Sequence, residues 1–439
     1  MKMVRLSGTM EIDQNGFLRI GGVNVKELVE RYATPLIVFD EKEIRQKVRE
    51  YREALREYPG GARVLYASKA FANRTLYRIL AEEGISLDVV SGGELYTALQ
   101  AGFPVERIYF HGNNKLVAEI KFALENNVVN FFIDSFQEAE LLNQLAGEMD
   151  KQIKAMLRLT PGIVAHTHRF MVTGTIDSKF GVGIKNGDAL KLIKLLQGYR
   201  QIELLGIQAH IGSQIYEQEA FSHLIEIMVS FLAEVREETG LTLGRLDLGG
   251  GLGIPQTDDD PEISIREYIN KLITKVSAEA AEHHFPLPEI WVEPGRSIIG
   301  TAGTTLYSIG MIKEIEQVKK YVTIDGGMTD NIRPALYGAK YDAFLANRSL
   351  TEPVEKVTIA GKCCETGDTL IEDLQLAPAE TGDILAVTGT GAYTFALANN
   401  YNGIPRPAIV LVKDGQANLI VQRESYADLL KNDLIPEGY

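Results

Sequence analysis

Lys69 closes the compact apolar run RVLYASKAF, residues 63–71, where a buried strand would end. An ammonium group is costly to remove from water, so a lysine in this position needs a structural or a chemical reason. In the structural interpretation its side chain only reaches out to solvent. In the chemical one its amine attacks the aldehyde of a carbonyl cofactor, and other groups of the same site must then be found.

Three further motifs offer such groups. Gly249, Gly250 and Gly251 follow an apolar run in LDLGGGLGI, and the amides of such a turn bind phosphate, although a tight turn alone would also use glycine. WVEPGRS places Glu293 and Arg296 after another run, and a buried carboxylate there needs either the arginine or a protonated ligand nitrogen. QAHIGSQ supplies His210 and Ser213. An amine, a carboxylate, a stacking imidazole and a phosphate cup together describe pyridoxal phosphate.

The segments that must position these residues alternate between apolar runs and helical patterns. The runs lie at 63–71, 85–91, 107–112, 128–135, 154–161, 204–213, 245–253 and 289–297. Polar groups stand at the run ends: Lys69, Asp88, His111, Asp134, Arg158, His210, the three glycines, and Glu293 with Arg296. Eight such units predict a (β/α)8 barrel, whose active site lies at the C-terminal ends of its strands. An open doubly wound sheet is the alternative, but it would concentrate these residues at one switch point.

After residue 300 the runs become short, β-branched and separated by turn residues, which predicts an all-β domain. Asp414-Gly415 and Asn15-Gly16 are each typical of a hairpin turn, and the N-terminal hairpin is a candidate to pair with the C-terminal sheet. We therefore expect an N-terminal segment over 1–40, a barrel over 41–300 and a β-sandwich domain over 301–439.

Composition limits the classes of partner. The chain has 439 residues and a formal net charge of −14, which argues against nucleic acid and anionic membranes. No apolar stretch is long enough to span a bilayer, and no secretory signal is visible. The two cysteines are adjacent, at 363 and 364, which favours a reducing, cytoplasmic location. The histidines of HTH (166–168) and HH (283–284) lack the companions of a zinc site, so no metal is expected.

These motifs resemble those of the fold-type III pyridoxal-phosphate decarboxylases, and among them the diaminopimelate decarboxylase branch. The resemblance extends over nearly the whole chain through YASKAF, DVVSGGEL, HIGSQ, DLGGGLG, EPGRS, DNIRPALYGA, CCETGD and TGTGAYTFALANNYNG. It implies a barrel with a β-sandwich domain that the N-terminal segment joins. It also implies the conversion of meso-2,6-diaminopimelate to L-lysine and CO2, the last step of lysine biosynthesis.

The resemblance also implies a role for each matching residue. Lys69 would bind the cofactor covalently, His210 would stack on its ring, and Glu293 would face the ring nitrogen. Cys364 would return a proton to the substrate carbon. The other implied contacts are to the cofactor (Ser213, Gly249, Gly250, Gly251, Gly295, Arg296, Tyr393) and to the substrate (Arg296, Arg333, Tyr337, Glu365, Tyr393). A homodimer with shared sites is implied, with Cys364 and Glu365 acting across the interface.

Two alternatives to this function remain on the sequence alone. One is a related decarboxylase of ornithine, arginine or carboxynorspermidine, and the other is a non-enzymatic pyridoxal-phosphate carrier. The CCETGD and TGAY segments favour an enzyme, and Arg333 with Tyr337 favours a distal carboxylate on the substrate. The segment LYGAKYD departs from the family pattern, because Lys340 and Tyr341 stand where relatives often have a Tyr-His pair. We expect altered packing around this substrate loop.

Overall fold

The computed structural model describes residues 5–163 and 177–439, so the HTH motif at 166–168 lies outside the described residues. The strands are β1 (Glu11–Ile12), β2 (Leu18–Ile20), β3 (Val23–Asn24), β4 (Leu36–Asp40), β5 (Ala62–Ala67), β6 (Ser86–Val89), β7 (Ile108–Phe110), β8 (Asn130–Ile133), β9 (Ile153–Thr160), β10 (Val182–Gly183), β11 (Ile202–Gln208), β12 (Arg245–Asp247), β13 (Glu289–Val292), β14 (Gly303–Ile315), β15 (Lys319–Ile324), β16 (Ala343–Leu345), β17 (Glu355–Ala360), β18 (Thr369–Leu376), β19 (Ile384–Val387), β20 (Ala408–Lys413) and β21 (Gln416–Val421).

The helices lie mostly between the barrel strands. They are α1 (Val25–Tyr32), α2 (Glu41–Leu55), α3 (Arg74–Glu82), α4 (Gly92–Ala101), α5 (Val117–Glu125), α6 (Phe136–Glu148), α7 (Asp188–Leu196), α8 (Gln218–Thr239), α9 (Ile265–Glu282), α10 (Arg296–Ile299), α11 (Arg333–Tyr337) and α12 (Tyr426–Leu429). The chain folds into two compact units, one of residues 45–253 with 262–297, and another of residues 1–44 with 254–261 and 298–439.

The first unit contains the predicted barrel. Strands β5, β6, β7, β8, β9, β11, β12 and β13 pair in parallel in that order, and β13 pairs with β5 to close the ring. The closure excludes the open doubly wound sheet. Short sequence signals fix the helix ends, since Ser91 and Ser135 accept the backbone N–H groups of Glu94 and Glu138 at the starts of α4 and α6. Gly240 ends α8 in a left-handed conformation.

The second unit is built on a mixed sheet. Its order is β18-β17-β15-β14-β4-β20-β21, with β19 pairing both β14 and β16. The N-terminal segment enters this sheet through β4, which lies antiparallel to β14 and parallel to β20. The turn at Asp414 and Gly415 joins β20 to β21, with positive φ at both residues. The predicted β domain and the contribution of the N-terminal segment to it are therefore confirmed.

The N-terminal hairpin forms, but it does not enter the large sheet. β1 pairs with β2 across the Asn15-Gly16 turn, and β3 completes a separate three-stranded sheet. Leu18 and Ile20 of β2 are fully buried in an apolar cluster that includes β4 and β20 residues. The expectation that the hairpin pairs with the C-terminal sheet was therefore wrong, because its strands form a sheet of their own. The hairpin joins the domain through side-chain packing and isolated backbone hydrogen bonds, such as that from the Leu18 amide to the Ala346 carbonyl at 2.8 Å. Among the described residues, no helix is long and apolar enough to cross a membrane.

Candidate active site

The glycine turn after β12 is shaped by close backbone approach. Gly249 and Gly251 have φ values of +67° and +118°, which side chains rarely tolerate. A Cβ on Gly250 would lie 2.2 Å from the carbonyl oxygen of Glu293, so only glycine fits between the ends of β12 and β13. The turn thus brings backbone amides close to the chain that carries Glu293.

Replacing Gly250 by alanine is expected to destabilise the protein by about 1–3 kcal/mol, because the new methyl group must displace backbone rather than a flexible side chain. Gly244→Ala is the matched control, since Gly244 directly precedes β12 and a Cβ there meets no atom within 4 Å. Chemical denaturation of both variants measures the difference. Equal stability of the two would contradict the close approach.

Lys69 lies directly after β5, in a single turn of 3-10 helix over Ser68–Ala70. This turn packs against the end of β13, since a Cβ on Gly295 would lie 3.1 Å from the Cβ atoms of Ala67 and Ala70. The Lys69 side chain itself is exposed, which corrects the expectation of a buried lysine. The 3-10 turn ends the strand before Lys69 and directs this amine out of the core. An accessible amine of this kind is able to meet a cofactor aldehyde.

Glu293 is buried immediately after β13 and is held from two sides. The Nε2 atom of His111 lies 2.6 Å from its Oε1, and the Gln208 side-chain amide donates to its Oε2 at 2.9 Å. Burial raises the pKa of Glu293, but interactions with neighbouring groups, of which those with His111 are the largest, outweigh burial and lower the pKa to about 2. Glu293 is therefore a carboxylate at neutral pH.

The neighbouring buried carboxyl groups behave in the opposite way. Burial and the charge of Glu293 raise the pKa of Asp247 well above its usual range, although its Oδ1 accepts the Gly249 amide at 2.8 Å. Burial also raises the pKa of Asp88, while His111 opposes that rise. Like charges in one low-dielectric site cannot all persist, so the negative charge concentrates on Glu293.

His210 stands just beyond β11 and is half-buried. Burial, followed by the charges of Lys69 and Arg158, lowers its pKa to about 3, so its imidazole is neutral. The backbone N–H of Gly250 donates to its Nδ1 at 3.3 Å, which leaves the hydrogen of the neutral ring on Nε2. This bond fixes the plane of the ring above the glycine turn.

Ser213 and Arg296 contact each other near the glycine turn, since a Cβ on Gly251 would lie 2.5 Å from the carbonyl oxygen of Gly212. The Nε and Nη2 atoms of Arg296 donate to the Ser213 hydroxyl at 3.3 and 3.1 Å. Arg296 begins the short helix α10 and is buried. A hydroxyl, a guanidinium and adjacent glycine amides form a donor set suited to a phosphate group.

The remaining predicted site residues lie in the second unit. Arg333 is buried at the start of α11, and Tyr337 at the end of that helix is half-buried. Tyr393 is half-buried with a φ of 61°. Cys364 and Glu365 are both exposed.

The segment that carries Cys364 is anchored by its neighbours. The Cys364 amide donates to Asn402 Oδ1 at 2.8 Å, and the Cys363 amide donates to the buried Asp368 carboxylate at 2.8 Å. Burial raises the pKa of the Cys363 thiol to about 12, with Asp368 as the next cause. Of the two thiols, Cys364 is the exposed one.

Comparison with known proteins decides the family. Residues 41–300 match the family model described as "Pyridoxal-dependent decarboxylase, pyridoxal binding domain". The chain is 48% identical to the diaminopimelate decarboxylase of Bacillus subtilis (strain 168), with 98% of each chain covered. This chain belongs to the diaminopimelate decarboxylase family. It is also 45% identical to the Staphylococcus aureus (strain COL) member, over 97% of this chain and 99% of that one.

Solved structures of the diaminopimelate decarboxylase family share the fold. The M. jannaschii diaminopimelate decarboxylase in co-complex with L-lysine has a TM-score of 0.91 and 36% identity, with 98% of each chain covered. The barrel with a β-sandwich domain, inferred from the sequence, is thereby confirmed. Pyridoxal phosphate is the cofactor of this pyridoxal-dependent family.

The described residues fit pyridoxal phosphate. The cofactor needs an accessible amine for its aldehyde, an ionised carboxylate for its ring nitrogen, a neutral imidazole for its ring face, and a hydroxyl, a guanidinium and glycine amides for its phosphate. These are Lys69, Glu293, His210, and Ser213 with Arg296 and the glycine turn. All of them belong to the barrel unit of this diaminopimelate decarboxylase family member.

The sequence interpretation missed the residues that hold Glu293. His111 was noted only as a polar strand end and Gln208 was not noted, although both end apolar runs in RIYFHG and LLGIQAH. His111 is buried and stacks on Phe132, with ring centroids 3.4 Å apart. Potential metal-ligand atoms of Asp88, His111 and Glu293 lie within 4.8 Å of one another. Their contacts with each other already account for this cluster as the buried group that surrounds Glu293.

Proposed function

We propose that this chain decarboxylates meso-2,6-diaminopimelate to L-lysine and CO2, using pyridoxal phosphate. The names of its relatives support this activity, and so does the L-lysine bound in the M. jannaschii structure. The observation that carries the choice of substrate is a buried arginine with no acidic partner among the described residues. Ornithine and arginine have no distal carboxylate, whereas diaminopimelate has one.

That arginine is Arg333, which is 1% exposed. It donates a hydrogen bond to the Tyr341 hydroxyl, and no described aspartate or glutamate forms an ion pair with it. Its Nε has no hydrogen-bond partner among the described residues. A buried guanidinium without an anion is costly, so an anionic ligand is the expected partner. A substrate carboxylate supplies that charge.

The residues of the barrel unit would hold the cofactor. Lys69 offers the amine for its aldehyde, and Ser213, Arg296 and the glycine turn with Gly295 offer donors for its phosphate. The neutral His210 ring is suited to stack on the pyridine, with Tyr393 as a further contact. Glu293, ionised and fixed by two partners, is suited to keep a ring nitrogen protonated.

The cofactor, when bound, would supply a carbonyl that takes the substrate amine and a ring that accepts the electron pair left on the substrate carbon when CO2 departs. The chain supplies the charges and the proton. Glu293 balances the charge of the ring nitrogen, Glu365 pairs with the distal ammonium, and Arg333, Tyr337 and Arg296 bind the distal carboxylate. Cys364 Sγ holds the proton that is delivered to the carbon left by CO2.

The test is CO2 release from the cofactor-loaded protein, with meso-diaminopimelate, ornithine and arginine in parallel. We expect release only with meso-diaminopimelate, with L-lysine as product. Release only with ornithine or arginine would overturn the substrate and keep the fold and cofactor. No release with any of the three would favour the pyridoxal-phosphate carrier.

We also propose a homodimer in which Cys364 and Glu365 complete the partner's site. Their exposure in the single chain supports this, because a proton donor exposed to water needs cover during reaction.

The boundaries 1–40, 41–300 and 301–439 remain our proposed domain division, supported by the family match over 41–300. The free Cys363 and Cys364 support a cytoplasmic location.

Mixing two inactive variants tests the shared site. Lys69→Ala and Cys364→Ala homodimers each lack one group in both sites, whereas a heterodimer has one site with both groups intact. After unfolding and refolding a 1:1 mixture, we expect about a quarter of the wild-type activity. Separately refolded variants are the control. If mixing gave no gain in activity, Lys69 and Cys364 of each site would belong to the same chain.

A further inference from the structure

The buried Arg333 contacts Tyr341, a side chain to which the family resemblance assigned no role. The Nη1 atom of Arg333 donates to the Tyr341 hydroxyl at 2.5 Å, and both residues are buried, with 1% and 2% exposure. The guanidinium carbon lies 5.8 Å from the centre of the Tyr341 ring. Tyr341 therefore contacts the arginine through its hydroxyl, at the edge of the ring.

The backbone places these two residues for contact. Pro334 in the first turn of α11 and the left-handed Gly338 after it make this a single short helix, and the chain then turns back towards β16. The Arg333 carbonyl accepts the Ala339 amide at 3.4 Å, which closes the turn before Tyr341. Tyr341 then packs into the apolar cluster of β14, β15, β17 and β18, so its ring has little freedom to move.

The contact determines which edge of the guanidinium still lacks an acceptor. A guanidinium offers a carboxylate either its end, through Nη1 and Nη2, or its side, through Nε and Nη2. Tyr341 occupies Nη1, and Nε is the buried donor that has no partner among the described residues. The side edge is therefore the one with a donor that no described protein group satisfies.

We propose that Tyr341 is a positioning residue, which holds Arg333 so that its side edge binds the carboxylate that decarboxylation leaves on the product. This inference rests on the proposed function, because it takes the Arg333 ligand to be the distal carboxylate of the substrate. A tyrosine hydroxyl suits the task, since it accepts the Nη1 hydrogen without a negative charge that would compete with the ligand. An aspartate in its place would neutralise Arg333.

Two amines that differ only in this carboxylate provide the probe. L-lysine retains the distal carboxylate of diaminopimelate, and cadaverine is the same diamine without it. We would measure the Kd of each for the cofactor-loaded wild type and for Tyr341→Phe by calorimetry. Tyr341→Phe keeps the ring and its packing and removes only the acceptor for Nη1.

We expect the wild type to prefer L-lysine, and Tyr341→Phe to reduce that preference by roughly tenfold through weaker lysine binding. Cadaverine should bind both proteins alike. With meso-diaminopimelate, KM should rise while kcat changes little, because a distal contact holds the substrate in the ground and transition states equally.

Tyr307→Phe is the matched control. Tyr307 lies in the same apolar cluster, is fully buried, and donates its hydroxyl to the buried Asp330 rather than to Arg333. Its loss is expected to lower stability while leaving the preference for L-lysine unchanged. Thermal unfolding of both variants separates a loss of stability from a loss of orientation.

The outcomes separate this inference from the proposed function. A wild-type preference for L-lysine that persists in full in Tyr341→Phe would overturn the positioning role. The same loss of preference in Tyr307→Phe would also overturn it, since the effect would then be general to the core. Absence of any preference in a wild type that decarboxylates diaminopimelate would show that Arg333 binds another group. Absence of decarboxylation would instead count against the proposed function.

Discussion

Lys69→Ala is expected to abolish both the covalent attachment of pyridoxal phosphate and the turnover of meso-diaminopimelate. Lys69 is an exposed amine at the end of β5, and its charge acts on Asp88, His210 and Glu293. Removal of a nucleophile that forms a covalent bond lowers kcat by roughly 10³-fold or more. Borohydride reduction of the loaded wild type, followed by peptide mass mapping, should place the cofactor on Lys69.

Lys154→Ala is the control for this prediction. Lys154 is an exposed lysine near the start of β9 in the same barrel, so its loss tests whether any barrel lysine would matter. It should leave attachment and turnover intact. Retained visible absorbance of the cofactor and retained turnover in Lys69→Ala would remove Lys69 from the mechanism.

Glu293→Gln is expected to lower kcat by roughly 10²-fold while the cofactor stays bound. The substitution keeps the size of the side chain and removes a charge that is present throughout the neutral range, since the pKa of Glu293 is about 2. A fixed charge in a buried site stabilises the charge that develops in the transition state far more than it would in water. The phosphate donors Ser213 and Arg296 are unchanged, so affinity for the cofactor should largely persist.

The same exchange at Glu279 provides the control. Glu279 is buried in α9 of the same unit and pairs with Lys275 at 2.8 Å. Glu279→Gln should affect stability only, because the side chain lies in no predicted site. Both variants would be followed by CO2 release at saturating substrate and by absorbance titration with pyridoxal phosphate. Full activity in Glu293→Gln would mean that the carboxylate is not needed.

Glu293 also shows where sequence reasoning stops. Asp247 and Glu293 both follow apolar runs and both are buried, and the sequence offers no means of telling their charge states apart. The structure places His111 and Gln208 against Glu293, whereas Asp247 lies close to the Glu293 charge. Burial and neighbouring charge set a pKa, and both depend on residues that are distant in sequence.

Lys69 and Tyr341 make the same point for geometry. The run RVLYASKAF suggested a buried lysine, but a one-turn 3-10 helix after Ala67 exposes it. LYGAKYD indicated only altered packing, and the hydrogen bond from Arg333 to the Tyr341 hydroxyl became visible once α11 and its turn were placed. Such contacts depend on the direction that the backbone takes after each turn, which residue patterns do not encode.

By itself, the sequence determined the local features. Eight apolar runs became the eight barrel strands, polar residues marked their C-terminal ends, and Asp414-Gly415 made its hairpin, because strand periodicity and turn chemistry act over a few neighbouring residues. Tertiary structure alone decided that β13 closes on β5, that β4 rather than the N-terminal hairpin enters the large sheet, and which buried carboxyl carries charge. Those outcomes depend on strand pairing and on electrostatic interactions between segments that are far apart along the chain.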